Sequence, residues 1–284
     1  MNKLLLLDKP AGLTSFSAVA RARRILGVKK AGHTGTLDPM ATGVLPILLS
    51  GATRFSEFLP SHDKAYLAGF QLGIMTDTLD STGTVLEERP VNVTREEIRA
   101  ALAQFRGEIL QVPPMYSAKS QGGVRLYALA RQGIEVEREA RAVEIFRLEL
   151  MGDCELYVEC SAGTYIRSLI DDLGRVLGCG ACMTSLRRVK ANGYDIARCI
   201  TLEELERQSA DGFVALDEVL AAYKSVQVSA AQAIRFRNGG ALDLARVQIK
   251  NPAEGELYRV YDEEKFLGLG RVQGGEMVIA RLLT

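Results

Sequence analysis

The chain of 284 residues has no surplus of either charge, with 35 Lys and Arg against 35 Asp and Glu. That balance excludes a protein that is basic over its whole surface. A nucleic-acid partner then requires a local basic patch offset by acids elsewhere. No apolar run approaches the ~20 residues of a membrane span. The opening Leu4–Leu7 stops at Asp8, too short for the core of an export signal, and is expected to be a buried strand. Histidine is scarce: His33 and His62 are the only two, and they lack metal-binding spacing. The five cysteines are an odd number in a long chain, so reduced thiols and a cytoplasmic location are expected. Cys179-Gly-Ala-Cys182 has ligand spacing but no second pair, and reads as two small buried hydrophobes.

What is present is ordinary for a folded protein. Hydrophobic residues make up 47% and charged residues 25%, which excludes a largely disordered chain. At ~150 residues per domain the length predicts about two domains. No internal repeat or low-complexity segment occurs. Thr14 or Ser15 caps a predicted helix with Val19, Ala22 and Leu26 on one face, ending at Gly27. Residues 28–43 lose periodicity and read as a loop, followed by an apolar segment from Val44 to Leu49. Tyr66, Ala68, Phe70 and Leu72 alternate as in a strand. Thr94-Arg-Glu-Glu97 is a capping box that opens a helix with Ile98, Leu102 and Phe105 inward.

Residues 111–142 differ in texture. They combine Pro113-Pro114, Gly122-Gly123 and a basic series (Lys119, Arg125, Arg131, Arg138, Arg141) with Tyr116 and Tyr127. This reads as an excursion from a core. Strands are predicted at 143–150 and 155–161, a helix from about Tyr165, and another capped helix at Thr201-Leu-Glu-Glu204. After about residue 224 a short helix, Ser229 to Arg237, precedes strands at 256–261, 266–272 and 276–282. The tail is therefore a β-rich module of about 60 residues, room for no more than a compact barrel. The larger part mixes strands and helices without regular alternation, so the fold class is α+β.

Chemistry concentrates in a few segments. Gly32-His33-Thr34-Gly35-Thr36-Leu37-Asp38-Pro39-Met40-Ala41-Thr42-Gly43 is the densest. Its glycines permit close approach of a ligand, and Pro39 biases Asp38 toward extended backbone. A carboxylate so placed is a candidate nucleophile or base; the competing reading is a turn-forming Asp. The loop matches neither nucleotide-binding fingerprint. Tyr66, in Lys64-Ala-Tyr66, is otherwise a core tyrosine. Arg167, in Gly163-Thr-Tyr165-Ile-Arg167, is either an ordinary helix partner of Asp171 or a two-pronged carboxylate holder. Leu186-Arg187-Arg188 reads as a solvated basic edge.

Taken together, these segments resemble the TruB family of bacterial tRNA pseudouridine synthases, which act on uridine 55 of the tRNA T-loop. The resemblance rests on GHTGTLDPMATG, with Asp8-Lys9-Pro10-Ala-Gly12 before it. Lys64-Ala-Tyr66, Leu72-Gly73, Thr76-Asp77-Thr78, Pro113-Pro114-Met-Tyr-Ser-Ala118, Gly163–Arg167 and Leu186–Arg188 extend it in order. It implies a mixed, mainly antiparallel sheet flanked by helices over residues 1–224, with the basic excursion for RNA. It also implies a small PUA-type, barrel-like RNA-binding module over residues 225–284. Asp38 is implied as the catalytic residue, and His33, Tyr66, Tyr165, Arg167 and Leu186 as substrate-contacting. The implied activity is an isomerisation, so no cofactor or metal is expected. The expected partner is tRNA, without guide RNA or membrane, for a monomeric enzyme. Arg21, Arg24, Lys29 and Lys30 are candidates to extend the RNA footprint. The alternative is an RNA-binding or tRNA-folding protein whose catalysis is secondary.

Overall fold

In the computed structural model, residues 1–284 are described except 118, 119, 122, 131, 208–210, 248 and 284. A mixed, mainly antiparallel sheet forms the centre of the larger part. Its backbone starts with β1 (Lys3–Lys9), β2 (Ala31–His33), β3 (Thr42–Leu49) and β4 (Lys64–Leu72). Across the sheet the order is Phe213–Ala215, β1, β3, Ala181–Ala191, β4, Glu155–Cys160, Arg141–Leu150 and Gly107–Gln111. Every pairing along this path is antiparallel except that of β3 with Ala181–Ala191.

The four leucines Leu4–Leu7 are fully buried, because helices or the second module cover both faces of β1. Helix α1 (Ser15–Ile25) starts at Thr14, whose side chain accepts from the Ser17 N–H, and buries Ala18, Val19 and Ala22. The capping boxes at Thr94 and Thr201 both form. The helix Ile166–Val176 follows the hairpin Arg141–Cys160 and lies against the long strand Ala181–Ala191.

Two elements differ from the sequence-based reading. Residues 28–43 are not wholly loop: Ala31–His33 pairs with Leu49–Ile47. The strand Ala181–Ala191 lies near the middle of the sheet. Its pattern has no clean alternation, because it packs on both faces and carries Arg187, Arg188 and Lys190.

The C-terminal part is a five-stranded sheet ordered Lys224–Val228, Leu257–Asp262, Lys265–Gln273, Glu276–Leu282, Leu242–Asp243. It encloses its own cluster around Phe236, Val260 and Met277. Leu269 reaches across to Leu4, Phe55 and Leu220, so one apolar cluster joins the two parts. Among the described residues no helix is long and apolar enough to cross a membrane.

Candidate active site

Asp38 sits on the loop between β2 and β3. Three buried side chains fix that loop through its backbone. Ser15 accepts from the Leu37 N–H at 2.8 Å and donates to the Leu37 carbonyl at 3.0 Å. The Lys9 ammonium donates to the carbonyls of Pro10, Leu13 and Pro39 at 2.9, 2.7 and 3.3 Å. The Arg188 guanidinium donates to the carbonyls of Val44, Thr36 and Gly35 at 2.6, 3.3 and 3.1 Å. Polar groups buried this way stabilise the loop only because each has a partner. Gly43, at φ +102°, lets β3 approach the long strand: a Cβ there would lie 2.1 Å from the Arg188 carbonyl oxygen.

The Asp38 carboxylate meets Arg167 in a fork, with Nε–Oδ2 at 3.0 Å and Nη2–Oδ1 at 3.2 Å. Arg167 is itself nearly buried and also donates to the Thr78 and Tyr116 carbonyls at 3.0 and 2.9 Å. Its Nη1 lies 3.7 Å from the buried carboxylate of Asp80. Asp80 is oriented by Thr78 Oγ1, the Thr82 N–H and Thr82 Oγ1 at 2.9, 3.0 and 2.6 Å. Asp38 and Asp80 thus share one guanidinium. The ordinary helix pairing of Arg167 with Asp171 does not form; Asp171 pairs with Arg175 instead.

Burial pushes the Asp38 carboxyl up, and the neighbouring Asp80 adds to this; Arg167 and Lys9 pull it down. Burial also pushes the Tyr66 hydroxyl up to about 12, so at neutral pH it is a proton-bearing donor. The Lys9 ammonium is lowered to about 8, chiefly by burial. His33 is lowered by burial and by the charge of Arg188, and its buried Nδ1 has no hydrogen-bond partner.

Asp38, Tyr66, Tyr165, Arg167 and Leu186 line one cavity of about 340 Å³. Tyr66 comes from β4, Leu186 from the long strand, and Tyr165 from the cap of the helix Ile166–Val176. Gln111 holds Tyr165 in place by accepting from its N–H and donating to its carbonyl, at 3.0 and 3.3 Å. His33 lies on a neighbouring cavity of about 770 Å³ that shares Asp38 and Arg167 as its wall. The six residues named from the sequence therefore surround one loop.

The basic excursion is partly described. Lys119 and Arg131 lie outside the described residues, and the Arg125 side chain is likewise not described. Tyr116 and Tyr127 line the larger cavity. Arg138 is committed to the Pro113 carbonyl at 3.1 Å and to Glu135. The basic pair is a solvated edge only at Arg187, whose side chain is 41% exposed, and not at Arg188. Arg187 forks onto Asp8, at 2.7 and 3.2 Å, and Arg188 is completely buried. Sequence reasoning gave no individual role to Lys9 or Asp80, and placed Arg188 on a solvated basic edge. Only Asp80 had a local signal, an acid between threonines in Thr78-Leu-Asp80-Ser-Thr82.

Residues 23–166 match the family model for the TruB family pseudouridylate synthase N-terminal domain. Residues 167–232 match the tRNA pseudouridylate synthase B C-terminal domain, and 225–283 match the Pseudouridine synthase II TruB C-terminal model. The chain is 47% identical to the tRNA pseudouridine synthase B of Stutzerimonas stutzeri, covering 100% of this chain and 96% of the relative. It is 48% identical to that of Aromatoleum aromaticum, covering 100% and 93%. Among solved structures, that of a Cbf5-Nop10-Gar1 complex superposes with a TM-score of 0.71 at 26% identity, covering 99% of this chain and 85% of the other.

Proposed function

The chain belongs to the TruB family of pseudouridylate synthases, and on that footing we propose that it isomerises uridine 55 in the T-loop of tRNA, alone and without guide RNA. The observation that carries the proposal is the Asp38–Arg167 fork set in the wall of a cavity with two tyrosines and a leucine. The reaction breaks the C1′–N1 bond of a uridine, turns the uracil, and joins C1′ to C5. The C5 proton is lost and N1 gains one, so nothing is oxidised or reduced.

Each residue has a role in that sequence. The uridine leaves the stack, at a cost of a few kcal/mol, and enters the cavity. Tyr66 offers an aromatic face, and base–aromatic stacking is worth about 1–3 kcal/mol. Leu186 and Tyr165 close the cavity and exclude water. Asp38 is the nucleophile or base at the sugar or the base. Arg167 opposes the desolvation of Asp38 and keeps its carboxylate available as an ion. His33, in the adjoining cavity, contacts the RNA beside the target. Tyr116 and Tyr127 belong to the same RNA-facing wall. Residues 1–224 form the catalytic unit and residues 225–284 a PUA-type module that adds RNA contacts. The enzyme works as a cytoplasmic monomer.

The test is conversion of an unmodified tRNA transcript by the purified protein with no other RNA or protein present. Pseudouridine at the T-loop position supports the reading. Tight binding without conversion would favour the tRNA-folding alternative.

A further inference from the structure

The structure assigns Arg188 as a positioning residue that fixes the separation between the two walls of the Asp38 cavity. This rests on the function proposed above. One wall is the loop Thr34–Asp38; the other is the sheet, through Tyr66 and Leu186. Arg188 belongs to the second wall by its backbone and to the first by its head group. Its Cα pairs with Tyr66 on β4 across the antiparallel register and with Gly43 on β3 across the parallel one. Leu186 is two residues earlier on the same strand and so shares the Arg188 face. The guanidinium then crosses the gap to the carbonyls of Gly35 and Thr36. The Tyr66 hydroxyl faces the same head group.

Burying a guanidinium is costly, and here the cost is offset by three carbonyls that accept from it. What the planar fork supplies is geometry: three carbonyls of two segments, Gly35-Thr36 on the loop and Val44 on β3, held at hydrogen-bond distance by one rigid group. Loosening the strut lets the loop move relative to Tyr66 while the RNA-facing surface is untouched. A displacement of roughly 1 Å in a catalytic group costs about 10²-fold in rate.

The experiment compares wild type, Arg188→Lys and Arg188→Gln in single-turnover conversion of a tRNA transcript, alongside filter binding and thermal unfolding. Lysine keeps the charge and loses the fork; glutamine keeps donors and loses the charge. Both are expected to slow conversion about 10²-fold, with affinity within threefold and unfolding still cooperative. The effect of Arg188→Lys is expected to be smaller in a Tyr66→Phe background than in wild type, because both changes disturb one gap. Unchanged conversion overturns the inference. So does an affinity loss equal to the rate loss, full additivity with Tyr66→Phe, or failure of both variants to fold, which would make the residue structural only. Absence of conversion by wild type would instead refute the function itself.

Discussion

Replacing Asp38 by Asn tests the catalytic assignment most directly. The change is nearly isosteric and sits on a loop whose backbone Ser15, Lys9 and Arg188 hold independently of the carboxylate. The fold should therefore survive. Burial raises the Asp38 pKa, so the folded chain holds this proton more tightly than the unfolded chain does. The term opposes folding at pH values above the folded pKa and vanishes below the unfolded value. Removing the charge relieves that penalty but leaves Arg167 to Asp80 alone, 3.7 Å away. The two effects have opposite sign, so the unfolding midpoint should shift by no more than a few degrees. Turnover is another matter: loss of the nucleophilic or basic group should slow conversion about 10⁴-fold or more, which corresponds to about 5.5 kcal/mol of barrier. Asp38→Glu keeps the charge but displaces it by one methylene, and about 10²-fold is expected from that alone. Both variants should bind tRNA within tenfold of wild type. The assay is tritium release from a 5-tritiated transcript under single-turnover conditions, beside filter binding on the same preparations. Near-wild-type release by Asp38→Asn would reduce Asp38 to a turn residue and refute the assignment.

Four further outcomes follow from the same geometry. Arg167→Lys keeps the charge but cannot serve Asp38, Asp80 and two carbonyls together, so single-turnover rates should fall at least tenfold; a rate equal to wild type would show that the fork is dispensable. Affinity for tRNA should decrease linearly on a log–log plot against salt, and Arg125→Ala with Arg131→Ala should flatten the slope; an unchanged slope would remove the excursion from the RNA footprint. Activity should persist in excess chelator and in the Cys179→Ser, Cys182→Ser protein, both sites being buried free thiols; loss of activity in a folded protein would revive a metal role. Because burial lowers Lys9 to about 8, the folded chain binds fewer protons there than the unfolded chain between that pH and the ordinary value of 10.5. Stability from this group therefore rises with pH across the window, and denaturant titrations of wild type against Lys9→Met should show their difference growing in wild type's favour; a flat difference would contradict it.

The sequence by itself determined the elements whose causes are local. Thr14, Thr94 and Thr201 cap their helices because a side-chain oxygen meets an N–H three residues on, which needs no distant partner. The apolar run Leu4–Leu7 could only be a covered strand. The GHTGTLDPMATG loop marked a candidate site, with a turn-forming Asp as the competing reading, and its resemblance to the TruB family pointed to Asp38. Tertiary structure decided what those residues do to each other. Asp171 was within helical reach of Arg167, yet the helix start turns Arg167 toward Asp38, 129 residues away. Asp80 joins that pair only after the segment 76–84 folds against the long strand. Arg188 read as an exposed cation, since charged side chains are seldom fully buried. Its position was fixed instead by the carbonyls of Gly35, Thr36 and Val44, and no local pattern records an acceptor that is 144 residues away. Periodicity and capping are short-range and leave their mark in the chain; the pairing of buried charges is long-range and appears only when the sheet closes.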